Sequence, residues 1–177
     1  MKTPFQLLAE SGVPVLLVGG HALHVYRYTR QTIDFDFMLA ESNYGRLRDY
    51  LVTQGFEEQG QMGQFGRFRT GPGAEPVLDI GRVNEQTFER LWAAGEEHAF
   101  GTATLRVPAF THLIALKLHA SKNQHRTARD LADVVELLRL NPGRCTEADL
   151  EATCLRYGPP GIYGKLKNLP PYGHPQH

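Results

Sequence analysis

The stretch VGGHALHVYRYTRQTIDFDFML, Val18 to Leu39, decides how this chain is read. It starts where an apolar run, VPVLLV (13–18), meets two glycines, and it ends in a segment that alternates residue by residue. On an extended strand over 32–40, Ile33, Phe35, Phe37 and Leu39 take one face, and Thr32, Asp34, Asp36 and Met38 take the other. Two aspartates at i and i+2 therefore point the same way. Their charges repel, and burying either one unpaired is costly. A divalent cation removes both difficulties. Mg²⁺ (or Mn²⁺) prefers a few carboxylates plus substrate phosphates to a full protein cage.

A third acid fits the same geometry. In PVLDIGRV (76–83), Leu78 and Ile80 share one face of a strand and Asp79 takes the other. If this strand lies beside IDFDF with a common core face, Asp34, Asp36 and Asp79 converge. Three such carboxylates can hold two metals about 4 Å apart, the arrangement used for in-line displacement at phosphorus. Gly19 and Gly20 let the backbone approach phosphates closely, and the helix that follows offers free N–H groups. Arg27 and Arg30, between the glycines and the aspartates, are candidates to meet a triphosphate or an acceptor. GQFGRFRT (63–70) reads as a strand joined to PVLDIGRV by the turn-rich GPGAE (71–75). A hairpin there sets Arg67 opposite Asp79, on the metal face, whereas a one-residue slip turns it away.

The rest of the chain reads as alternating elements. Helices are expected over 4–12, closed by Gly12, over 21–28, over 42–55 with Ser42 as cap, and over 84–95 with Asn84 as cap. TATLRVP (102–108) reads as a short strand. From Pro108 the pattern turns helical: 108–122, 127–140 ended by NPG, and 146–158. The Pro- and Gly-rich segment from 159, with its scattered histidines, reads as irregular. The expected fold class is α/β (α+β), a mixed central sheet with flanking helices followed by a small helical region. The expected division is a core over 1–107, a helical region packed on it over 108–168, and a tail over 169–177.

Composition narrows the function classes. The chain has 177 residues, 19 Lys+Arg against 19 Asp+Glu, and formal net charge zero, which argues against coating nucleic acid by bulk charge. Cys145 and Cys154 show no CxxC spacing, so a reducing, cytoplasmic setting fits best. No run approaches the length of a membrane span, and no signal-peptide core opens the chain. GQMGQFG does not open a helix after a strand, so it is no dinucleotide fingerprint. His21 and His24 read as packing or solvent-facing residues, and His119 and His125 lack ligand spacing. Ser11, Ser42 and Ser121 have no readable nucleophile arrangement.

The glycine pair, the short helix, RQTIDFDF and the later LDI resemble the signature of the DNA polymerase β-type nucleotidyltransferase superfamily. The wording is especially similar to minimal nucleotidyltransferases and to AbiEii-type toxin nucleotidyltransferases. The helical stretch LIALKLHASKNQHRTARDLADVVELL extends the resemblance, which then covers roughly residues 13–140. It implies that Lys117 meets the nucleotide phosphates and that Asp130 orients it or the site; Asp133 lies one turn later. A lysine on a helix flank also snorkels to solvent, and Asp130 also suits the first turn of a helix. The implied activity is Mg²⁺- or Mn²⁺-dependent transfer of NMP from an NTP to a hydroxyl, releasing pyrophosphate. The acceptor stays open between an RNA end, a small molecule and a protein side chain. The alternatives are a degenerate binding module or antitoxin subunit of a toxin–antitoxin pair, and a metal-dependent phosphohydrolase.

Overall fold

The computed structural model describes residues 2–123 and 125–168. The tail expected at 169–177, with its histidines, lies outside the described residues. The chain forms two compact units: Met1–Val25 with Arg30–Pro108, and Tyr26–Thr29 with Ala109 onward.

The first unit is built on a mixed seven-stranded sheet in the order β3-β4-β5-β2-β1-β7-β6. The strands are β1 (Leu16–Leu17), β2 (Asp34–Ala40), β3 (Glu57–Met62), β4 (Phe65–Arg69), β5 (Val77–Val83), β6 (Glu96–Phe100) and β7 (Ala103–Val107). β2 runs parallel to β5 and antiparallel to β1, and β1 runs parallel to β7. Four helices belong to this unit: α1 (Pro4–Ala9), α2 (Gly19–Leu23), α3 (Tyr44–Thr53) and α4 (Glu85–Ala94). The apolar face read from sequence is the buried one. Phe37, Leu39, Leu78 and Ile80 are sealed from solvent with Leu16, Leu17 and Phe68, and each such side chain contributes about 1.5–3 kcal/mol when fully buried.

Several details depart from the sequence pattern. β2 begins at Asp34, and Ile33 is 64% exposed, so the alternation does not extend back to it. Ser42 does not cap α3. A 3₁₀ turn over Glu41–Asn43 precedes the helix, whose cap position is Asn43. Asn84 does cap α4, its side chain accepting the Thr87 N–H at 2.8 Å. Strands β3 and β6 stand where no strand was expected.

The second unit contains α5 (Phe110–Ala120), α6 (Thr127–Leu140), α7 (Glu147–Tyr157) and α8 (Ile162–Leu166). The last of these lies in the stretch expected to be irregular. The Asn141 side chain ends α6 by donating to the Leu137 carbonyl at 2.9 Å and to the Tyr26 carbonyl at 2.7 Å. This ties the short Tyr26–Thr29 segment to the helices. Cys145 and Cys154 are buried and are not joined in a disulfide. No helix among the described residues is long and apolar enough to cross a membrane.

Candidate active site

The turn after β1 is shaped by what lies beneath it. Val18 N–H donates to the Asp36 carbonyl at 2.9 Å, which lays the chain across β2. Gly19 then adopts φ +64°, and a Cβ on it would overlap the Asp36 carboxylate. A Cβ on Gly20 would come within 2.8 Å of the Thr32 side chain. Both positions need glycine, the first for conformation and space and the second for space alone. The backbone of the turn is thereby pressed against the Asp36 carboxylate and the Thr32 side chain. α2 has only five residues, so what it offers is the N–H groups of its first turn and not a long helix dipole.

β2 and β5 place Asp36 directly beside Asp79 in register, with Asp34 level with Val77. On the other side, β4 places Arg67 opposite Asp79, as the hairpin reading expects. Arg67 donates Nε to Asp79 Oδ1 at 2.8 Å and Nη2 to Asp79 Oδ2 at 2.7 Å. This bidentate pair raises the already high pKa of Arg67, opposed by burial and aided by the charges of Asp79, Asp34 and Asp36. The guanidinium thus lies in the field of all three acids. Its partner carboxylate is 18% exposed and Arg67 itself 49%. The register thus sets Asp79 beside Asp36, and both oxygens of Asp79 accept from Arg67.

Behind the glycines is an aromatic cluster. The His21 ring stacks on Phe35 at 4.4 Å, and Phe5 meets both His21 and Phe35 edge-on. His21 is therefore a packing residue, and burial, with the charges of His24 and Arg30, holds its pKa below the usual imidazole value. His24 Nε2 faces the Arg30 carbonyl at 3.4 Å, and Arg30 Nη1 reaches the Gln31 carbonyl at 3.4 Å. Arg30 thus has its carbonyl against His24, its charge acts on His21, and it lies between the glycines and the aspartates in the chain. Arg27 is exposed at φ +62° and falls in the second unit.

The second unit holds Lys117 and Asp130. The Lys117 ammonium lies 3.0 Å from Asp130 Oδ1 and 2.6 Å from Asp133 Oδ2, and the three side chains are at most 5% exposed. Arg126 Nε approaches Asp130 Oδ2 at 3.1 Å. The expected Lys117–Asp130 pair forms. Its ammonium is committed to two buried carboxylates, which differs from an open phosphate-facing lysine. Arg126 was overlooked in the sequence, although its i,i+4 spacing to Asp130 is readable there.

No family model and no curated protein matches this sequence. Solved structures do. The crystal structure of ANT(2'')-Ia in complex with adenylyl-2''-tobramycin matches with TM-score 0.63 at 14% identity, over 86% of this chain and 93% of that one. Lincomycin-bound LnuA, a lincosamide antibiotic adenylyltransferase, matches with TM-score 0.53 at 16% identity, over 76% and 92%. An antigenic nucleotidyltransferase-like protein from Paracoccidioides brasiliensis matches with TM-score 0.53 at 14% identity, over 92% and 90%. The fold is that of the nucleotidyltransferases. At such identities the likeness is one of fold, and chemistry must be argued from the side chains.

On this nucleotidyltransferase fold the donor set suits a hard cation in part. Asp34 and Asp36 supply carboxylate oxygens on one strand face, the ligand type Mg²⁺ and Mn²⁺ favour. Asp79 on the neighbouring strand supplies a third carboxylate, whose oxygens accept from Arg67. Among the described residues no group of three or more His, Cys, Asp or Glu side chains forms a ready cage for a metal ion.

Proposed function

We propose that this chain is a nucleotidyltransferase that transfers NMP from an NTP to a hydroxyl of a small-molecule acceptor. The observation that carries the reading is the Gly19 backbone lying against the Asp36 carboxylate, in a sheet where Asp36 is the register neighbour of Asp79. A phosphate chain laid along the Gly19–Gly20 backbone would have its α-phosphorus beside the carboxylates. The fold neighbours named for adenylylated tobramycin and for lincosamide adenylyltransfer support a small hydroxylated acceptor over a macromolecular one.

The roles divide as follows. Gly19 and Gly20 receive the β- and γ-phosphates, and Arg30 adds positive charge for them. Asp34 and Asp36 hold a divalent cation, which when bound neutralises phosphate charge and favours pyrophosphate as leaving group. Asp79 accepts the proton of the acceptor hydroxyl. The acceptor oxygen bonds to the α-phosphorus, the bond to the bridging oxygen breaks, and its electron pair leaves with pyrophosphate. Arg67 keeps Asp79 in place through both oxygens. Orientation and charge stabilisation carry most of the rate in such a site.

The test uses purified protein, Mg²⁺, each NTP labelled at the α-phosphate, and panels of aminoglycosides, lincosamides and cellular RNA. Labelled small-molecule acceptor plus pyrophosphate is expected, and both should vanish in Asp34→Asn/Asp36→Asn. Release of inorganic phosphate in place of pyrophosphate would establish a phosphohydrolase, and label in RNA alone would refute the small-molecule acceptor.

A further inference from the structure

Phe65 opens β4 and is 51% exposed, although its strand lies inside the sheet, between β3 and β5. It shares a strand face with Arg67, two residues along, and so stands on the face that carries Asp79, Asp36 and Asp34. Its register neighbour on β5 is Gly81. A Cβ on Gly81 would lie 3.1 Å from Phe65 Cε1 and 3.5 Å from Cδ1. The ring therefore leans across β5 onto a glycine backbone and keeps the rest of its surface open. The turn before it is anchored. Arg82 N–H donates to the Gln64 carbonyl at 2.8 Å, and the Arg82 guanidinium donates to the Gly63 carbonyl while lying 4.5 Å from the Tyr44 ring centroid. We propose that Phe65 is the platform for the acceptor. The open side of its ring stacks on the C–H face of a saturated, hydroxylated ring, as in a sugar, and so selects ring acceptors and the hydroxyl that reaches Asp79.

The direction of the reaction brings the acceptor to that side. The sheet order runs β1, β2, β5, β4, so the glycine turn after β1, Asp36, Asp79 and then β4 follow one another across the strands. In-line displacement sets the attacking oxygen opposite the leaving group. With pyrophosphate held toward the glycine turn, the acceptor enters from the β4 side of Asp79. Two residues of strand separate Gly81, with the ring over it, from Asp79 by about 7 Å, a span that one six-membered ring and its hydroxyl bridge. A saturated ring offers C–H groups to an aromatic face and hydroxyls at its edge to carboxylates. An acyclic chain matches that arrangement only by ordering its bonds.

This inference rests on the functional reading above, and two measurements separate them. The probes are tobramycin and lincomycin as ring acceptors and sorbitol as an acyclic one. In label transfer from the α-phosphate, Phe65→Ala and Phe65→Leu should raise the KM of a ring probe about tenfold and leave the KM of NTP within about twofold. Phe65→Tyr should restore the wild-type value. Leucine keeps the apolar bulk without the ring face, so a merely structural Phe65 would tolerate it. Saturation-transfer NMR without NTP needs no turnover: the C–H protons of a ring probe should receive saturation from the aromatic protons of the wild type, and lose most of it in Phe65→Leu. An unchanged acceptor KM in Phe65→Ala and Phe65→Leu, an equal loss of NTP and acceptor, or sorbitol labelled as well as the ring probes would each overturn the platform while transfer stands. Phe65-dependent saturation with no labelled product would instead overturn the transfer reading and keep the platform, and the absence of both signals would overturn both.

Discussion

Lys117→Met is the most telling perturbation of the helical unit. From sequence alone, a lysine inside LIALKLHA looks like a charge that methionine would replace at little cost. The structure reverses that expectation. Lys117 is 4% exposed, and its ammonium is the shared partner of Asp130 and Asp133, each 1% exposed. Methionine keeps the length and the apolar stem, so the change removes mainly the charge. It leaves two carboxylates buried on adjacent turns of α6, with the half-exposed Arg126 near one of them. Removing one member of a buried ion pair costs about 3–5 kcal/mol, because the remaining charge loses its compensation. For a chain of this size about 1 kcal/mol moves Tm by about 2–4 °C, so a fall of about 6–20 °C is expected.

Thermal and urea melts of Lys117→Met measure that loss. The triple change Lys117→Met, Asp130→Asn, Asp133→Asn removes all three charges together and should recover at least half of it. A Lys117→Met protein melting within about 2 °C of the wild type would refute the argument, since the cluster would then contribute no net stability. Binding, measured well below both melting temperatures, adds a second criterion. With the ammonium held by two carboxylates, NTP and NMP affinities should fall together or not at all. A selective loss of NTP, about tenfold or more, would mean that Lys117 leaves its partners for phosphate.

Two further perturbations address the sheet. Gly19→Ala should weaken NTP binding and cost about 1–2 kcal/mol of stability from the positive φ alone, with more from the overlap with Asp36; a variant with unchanged melting temperature and Mg·NTP affinity by calorimetry would show that the turn does not need glycine. His21 has a pKa below its ordinary 6.5 in the folded protein, chiefly through burial, so the unfolded chain binds more protons as pH falls toward and below that value. Stability contributed by neutral His21 is therefore present above pH 6.5 and lost progressively on acidification, and His21→Phe should flatten the Tm difference between about pH 7.5 and 5.5; an unchanged difference would remove His21 from the acid response.

The central part of the sheet was legible because its strands are buried on one face. In β2 and β5 the alternation of Phe37, Leu39, Leu78 and Ile80 with aspartates reports that face directly. The register of Arg67 against Asp79 was one of the alignments that a hairpin across GPGAE allows, and only the ladder distinguishes it from a one-residue slip. The two edge strands were not legible. β3 (EEQGQM) and β6 (EEHAF) lie at the ends of the sheet, and their pairing shifts or polarity gives no apolar alternation to read. Edge strands are defined by backbone bonds to one neighbour, and polar side chains there discourage pairing with other chains. Ile33 misled for the opposite reason: it carries the alternation in sequence back beyond the residue where the ladder begins.

The site shows the same division between what one residue reveals and what only its partner decides. Asp34, Asp36, Asp79 and Lys117 all announce themselves as charges set among apolar residues. What holds each charge is a matter of pairing across the fold. Arg67 lies twelve residues from Asp79, and Lys117 thirteen from Asp130. The first pairing could be offered as one alignment because a hairpin limits which residues face each other. The second joins two helices, where a small rotation of either changes the neighbour. Asp34 and Asp36 share a strand face by alternation alone. Arg67 meets Asp79, and Lys117 meets Asp130 and Asp133, only once the elements that carry them are packed side by side.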